Sequence, residues 1–152
     1  MTVVDYDAVA PAYDRRYDHN RFDDLRDALL HFVGDARDAD VAEVGCGTGH
    51  WLAEIAGVAR SVVGIDPSWS MLQTAAASHP GNLLVRARAE EIPLASARFD
   101  RVVCINALHH FSDAGAFARE ARRVLRPGGA IMVVGLDPHT ELDRWWTRGC
   151  SS

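Results

Sequence analysis

No stretch of this sequence approaches the roughly 20 consecutive apolar residues that a membrane span needs. The longest apolar run, around Ala130 to Leu136, has the length of a strand. The opening MTVVDYD has neither the basic start nor the apolar stretch of a secretory leader. Cysteine is scarce: Cys46, Cys104 and Cys150 make an odd number with no CxxC pair. That supplies neither a disulfide framework nor a zinc spacing, and points to a reducing, cytoplasmic compartment. The seven histidines show no HxxxH or HExxH spacing, and Asp137-Pro138-His139 is too short a cluster to count, so no metal is expected. An excess of positive charge is also missing, with 16 Lys+Arg against 21 Asp+Glu and a net charge of −5. A chain of this sign repels phosphate backbones, which argues against a large nucleic-acid partner. Repeats and low-complexity segments are absent.

What is present fits one soluble domain: 152 residues, 48% of them hydrophobic and 24% charged. Residues 1–33 read as an N-terminal arm and helix, 40–136 as a core, and 137–152 as a short tail. Phe22, Leu25, Leu29, Leu30 and Phe32 recur at near-helical spacing and predict an amphipathic helix over Arg21 to Val33, with Gly34 as its stop. The pattern then alternates. Strands are predicted at Val41 to Val44, Ser61 to Ile65, Leu83 to Ala87, Arg101 to Ile105 (introduced by Phe99-Asp100) and Ala130 to Val134. Helices are predicted between them at His50 to Val58, Ser68 to Ser78 with Ser68 as cap, and Ala114 to Leu125, stopped by Arg126-Pro127-Gly128-Gly129. Strands separated by helices imply parallel pairing with helices on both faces. The expected fold is therefore α/β: a doubly wound, mostly parallel sheet of about five strands in three αβα layers. Its ligand crevice should lie beyond the carboxyl ends of the strands, where strand order reverses.

Gly45-Cys46-Gly47-Thr48-Gly49 follows a strand and opens a helix. Glycines there let the backbone turn tightly and approach a ligand closely, and the helix start offers free N–H groups. Asp66 ends the next strand, about 20 residues on, where a carboxylate can accept hydrogen bonds from the two hydroxyls of a ribose. A dinucleotide enzyme shares this layout, but its fingerprint is G-x-G-x-x-G and the third position here is His50. Glu43, just before the loop, suits an amino group better than a pyrophosphate.

Six segments occur in order: Val41 to Gly49; Gly64-Ile65-Asp66-Pro67-Ser68 with Met71-Leu72; Ala89 to Leu94; Phe99 to Val103; Ala107-Leu108-His109-His110; and Arg123 to Gly129. In these the sequence resembles the class I, Rossmann-like S-adenosylmethionine-dependent methyltransferases. The small-molecule branch that includes ubiquinone and menaquinone-biosynthesis C-methyltransferases is the nearest. The resemblance implies S-adenosylmethionine as cofactor and roles for individual residues. Glu43 and the backbone of Gly45, Cys46 and Gly47 would hold the methionine end. Asp66 would bind the ribose hydroxyls. Pro67 and Met71 would pack against the adenine, and Ala89 and Glu90 would flank its edge. Asn106 would lie near the sulfonium. Ala10-Pro11-Ala12-Tyr13-Asp14 resembles the lid of this branch, which makes Tyr13 and Arg21 candidates for covering the cofactor; packing of the arm's tyrosines onto the core is the alternative. Arginines in Val85-Arg86-Ala87-Arg88 stand where the family often has an acid, which implies an altered adenine side. The family's C-terminal antiparallel strands are not found after the fifth strand.

The activity implied is methyl transfer to a small-molecule acceptor; the alternative is a truncated cofactor-binding module without independent activity. His109 and His110 are the candidate bases, with His109 preferred as catalytic. The alternative is that His110 packs or caps the following helix while His109 faces solvent. A helix start favours a thiolate at Cys46, although that residue reads better as a small side chain beneath the cofactor. Cys104 reads as core. Trp51 and Trp69 are expected to pack at helix starts; the alternative for Trp69 is that it borders the adenine pocket. Thr140-Glu141-Leu142-Asp143 resembles a capping box, so a short helix around Thr140 to Arg148 would carry Trp145 and Trp146. With no strand beyond it, the fifth strand would be an edge, covered by that helix or paired across a homodimer.

Overall fold

The computed structural model describes residues 23–135. The elements are α1 (Asp23–Gly34), β1 (Asp40–Val44), α2 (His50–Ala56), β2 (Ser61–Asp66), α3 (Trp69–Ser78), β3 (Leu83–Arg86), β4 (Phe99–Ile105), a 3-10 turn (Leu108–His110), α4 (Ala114–Val124) and β5 (Leu125–Val134). The arm with Tyr13 and Arg21, the Thr140 helix and Trp145 and Trp146 lie outside the described residues.

All five strands are parallel, in the order β3-β2-β1-β4-β5. This is the doubly wound αβα sheet expected from the alternation of strands and helices. The order reverses between β1 and β4, so the crevice opens above those two strands.

Alternation along each strand divides the apolar side chains between two cores. Val41, Val62, Val103 and Met132 join Leu25, Leu29 and Val33 of α1 and Trp51, Leu52 and Ile55 of α2 on one face. Ala42, Val63, Val102 and Cys104 join Phe117, Ala121 and Val124 of α4 on the other. The helices meet the sheet through residues three and four apart, which share one side of a helix. Gly64 sits in the middle of β2, where a Cβ would lie 2.6 Å from Leu52 Cδ1 and 2.9 Å from Cys46 Sγ. Its missing side chain lets α2 and the β1–α2 loop come down onto the sheet.

Ser68 caps α3, its side chain accepting from the Met71 N–H, as expected. Two expectations need correction. β5 begins at Leu125 and includes Arg126 to Gly129, which the sequence suggested as a helix stop. Phe99 pairs with Leu125, then the register shifts before Arg101 pairs with Ala130. Such an irregularity lets a strand carry a residue that cannot donate a ladder bond, here Pro127. Trp69 does not pack at its helix start; it is 54% exposed, whereas Trp51 is buried.

Candidate functional site

The β1–α2 loop bends over the end of β2: the N–H groups of Gly45 and Cys46 both donate to the Ile65 carbonyl, at 2.8 and 3.1 Å. Gly45, Gly47 and Gly49 have φ of 76°, 53° and 84°, in the left-handed region that glycine enters without strain. At Gly45 there is also no room, since a Cβ would stand 2.4 Å from that of Ala107. The loop therefore touches the end of β4 as well as β2, and this close approach bounds the crevice.

Asp66 ties the two sides together. Its Oδ2 accepts from the Gly47 N–H and its Oδ1 from the Ser68 N–H, each at 2.9 Å. A carboxylate oxygen can accept more than one hydrogen bond, so these bonds are compatible with a ligand hydroxyl at Asp66. Glu43, next to last in β1, is 1% exposed. Its Oε2 has no hydrogen-bond partner among the described residues. Burial, with the charge of Asp66 adding to it, pushes the Glu43 carboxyl well above the usual carboxylate range.

These groups line one cavity of about 280 Å³. Every described cofactor candidate from the sequence is on its wall: Glu43, Gly45, Cys46, Gly47, Asp66, Pro67, Met71, Ala89, Glu90 and Asn106. Asn106, just past β4, adopts φ 53°, and its N–H donates to the Val134 carbonyl at 2.6 Å. Asparagine is among the few side chains that tolerate this conformation. The Glu90 carboxylate is engaged, its Oε1 accepting from the Ser112 and Asp113 N–H groups at 2.8 and 3.2 Å and from Ser112 Oγ at 3.0 Å. Burial opposes ionisation of Glu90, but bonds from its own N–H and those of Asp113 and Ser112 outweigh it and lower its pKa. The Cys46 thiol is pushed well above its usual range, first by burial and then by Glu43 and Asp66. The thiolate that a helix start would favour is therefore opposed here.

His109 is not among the wall residues, whereas His110 is, although both are exposed on the same 3-10 turn with ring centroids 3.8 Å apart. Such a turn rotates neighbouring residues by about a third of a circle, so an adjacent pair cannot face the same way. Sequence reasoning did not place Phe111 or Ser112 at the site, and took Arg88 only as part of a stretch on the adenine side. Phe111 packs edge-on against Phe117 of α4 at 4.9 Å and lines the cavity. Arg88 donates to Ser112 Oγ at 2.5 Å. Nothing in their spacing marks them: Phe111 and Ser112 reach the wall from the turn between β4 and α4, and Arg88 from the segment after β3.

Residues 42–133 match a family model described as a methyltransferase domain. The chain belongs to this methyltransferase family. A malonyl-[acyl-carrier protein] O-methyltransferase of Pseudescherichia vulneris is 35% identical to this chain over 141 residues, 90% of this chain and 56% of that protein. A demethylmenaquinone methyltransferase of Tropheryma whipplei is 32% identical over 135 residues, 84% of this chain and 56% of that one. The crystal structure of an S-adenosylmethionine-dependent methyltransferase from Mesorhizobium loti has a TM-score of 0.67 and 28% identity, covering 78% of this chain and 55% of that chain. The chain thus spans about half the length of these relatives. No helix among the described residues is long and apolar enough to cross a membrane.

Proposed function

We propose that the protein transfers a methyl group from S-adenosylmethionine to a small-molecule acceptor, with the donor held in the cavity above β1 and β4. One observation carries the reading: the wall holds a fully buried carboxylate, Glu43, with an oxygen that nothing described satisfies. A buried carboxylate oxygen without a donor is costly. The ammonium of a methionine moiety is the complement it lacks.

When bound, the cofactor supplies a methyl group already activated on a sulfonium, so an acceptor needs alignment more than activation. In this reading Glu43 accepts from the ammonium, and the backbone of Gly45, Cys46 and Gly47 lies along the methionine moiety. Asp66 accepts from the ribose hydroxyls. Pro67 and Met71 give the adenine an apolar flank, which a polarizable thioether suits. The backbone at Ala89 and Glu90 borders its edge, while the Glu90 side chain braces the turn before α4. Asn106 lies toward the sulfonium. Tyr13 and Arg21 remain the proposed lid residues of the arm. His110, rather than His109, is the group positioned to take a proton from an acceptor that must lose one. A homodimer through the edge of β5 and a cytoplasmic location belong to the same proposal, the latter supported by the odd cysteine count without a CxxC pair.

Calorimetric titration with S-adenosylmethionine and with NAD tests the cofactor. Binding of the first and not the second is expected, and binding of NAD alone would overturn the reading. Transfer of radiolabelled methyl into a panel of quinol, carboxylate and thioester acceptors then tests the activity.

A further inference from the structure

The unpartnered oxygen of Glu43 has a consequence that depends on the S-adenosylmethionine reading above. We propose that Glu43 stands in the empty cavity as a neutral acid and gives up its proton when a ligand ammonium arrives. Occupation of the cavity then releases one proton and discriminates against adenosyl ligands that lack this cation.

The surroundings of Glu43 leave its charged form poorly supported. Asp66 reaches the same wall from the end of β2 and brings a second carboxylate. From the loop and from β4 come the thiols of Cys46 and Cys104, both buried. Burial pushes both thiols up, Cys104 to about 12, so neither brings a charge to the wall. Trp51 of α2 presents an indole and Asn106 a carboxamide. His110 reaches the wall from the 3-10 turn. Arg88, the one guanidinium among the described wall residues, is already engaged by Ser112 and sits 3.6 Å from Glu90. Two carboxylates sharing a dry wall cannot both ionise at low cost. A ligand ammonium beside Glu43 supplies the missing charge, and the carboxyl proton goes to solvent as the ion pair forms.

S-adenosylhomocysteine isolates the effect, because its ammonium is its only cation. 5′-Methylthioadenosine keeps the adenine, ribose and thioether but lacks the amino-acid group. Each is titrated calorimetrically across about pH 5–8 into the full chain, in two buffers of different ionisation enthalpy. The dependence of the heat on buffer should show protons released, rising toward one per S-adenosylhomocysteine at the pH values where Glu43 is protonated in the ligand-free chain, and none per 5′-methylthioadenosine. Affinity for S-adenosylhomocysteine should fall about tenfold per unit as pH drops through the range where Glu43 binds its proton, and hold steady for 5′-methylthioadenosine. In Glu43→Gln the proton release should vanish. S-adenosylhomocysteine binding with equal heats in both buffers would overturn this inference and leave the cofactor reading standing. So would an undiminished proton release in Glu43→Gln. Failure of both ligands to bind would overturn the inference and the cofactor reading together.

Discussion

Glu43 is a residue whose burial works against the ligand-free protein. Its folded pKa is raised above the unfolded value of about 4.3. A group of this kind contributes stability below the unfolded pKa and loses it as pH rises through the folded one. Near neutral pH the unfolded chain ionises Glu43 freely, whereas the folded wall resists. Glu43→Gln should therefore raise the melting temperature of the ligand-free protein at pH 7–8 and weaken S-adenosylmethionine binding. A calorimetric scan paired with a titration would reveal both, and a lowered melting temperature would contradict the burial account. Asp66→Ala should weaken cofactor binding by roughly 1.5–3 kcal/mol, the range for a charge-assisted hydrogen bond. Wild-type affinity in that variant would refute the ribose assignment. Cys46 and Cys104 should resist alkylation at pH 8 in the folded protein and react after unfolding, since burial disfavours both thiolates. Peptide mapping by mass spectrometry gives the answer site by site.

At the scale of elements, two ion-pair networks tie helices, strands and connecting segments together. Arg123 of α4 reaches across to the 92–96 segment: its guanidinium donates to the Ile92 and Leu94 carbonyls, both at 2.8 Å, and to Ser96 Oγ at 3.2 Å. Glu120 completes the clasp by accepting from the Ile92 N–H at 2.8 Å. Arg123 in turn holds the Glu120 carboxyl down to about 2. Below the sheet, Arg60 holds Asp40 well below the usual carboxylate range, against some burial and with help from Ser61 and Arg126. Arg126 also bridges Asp40 to Asp100, at 3.0 and 2.8 Å. Both lowered carboxyls contribute stability above the unfolded carboxylate pKa of about 4, and it is lost as pH falls through their folded values. Acid unfolding should thus steepen between about pH 4 and pH 2, and Glu120→Gln should flatten its share. Arg123→Ala should speed hydrogen exchange at the Ile92 amide well before global unfolding. An unchanged exchange rate there would show that the clasp is dispensable. Legibility varied at this scale. α1 and α4 could be read from residues three and four apart, because one face of each is apolar. The start of β5 could not be read, because Pro-Gly-Gly is a stop signal in isolation and becomes a strand only where β4 offers a shifted register.

For the molecule as a whole, parallel strands buried on both faces make the sheet one cooperative unit, and the cavity draws its walls from several of its segments. S-adenosylhomocysteine at 100 times its dissociation constant should stabilise the fold by about 2.7 kcal/mol, if it binds the folded chain alone. A concentration-dependent rise in melting temperature checks this. The amino-acid sequence by itself determined the doubly wound class, the loop, Asp66 and most of the wall, because strand and helix periods, glycines and terminal acids are local features. Only the tertiary structure decided that β1 and β4 flank the switch point, that His110 rather than His109 reaches the cavity, and that Glu43 carries an unsatisfied oxygen. Burial, facing and missing partners depend on what the rest of the chain brings near a residue, and no local pattern encodes them.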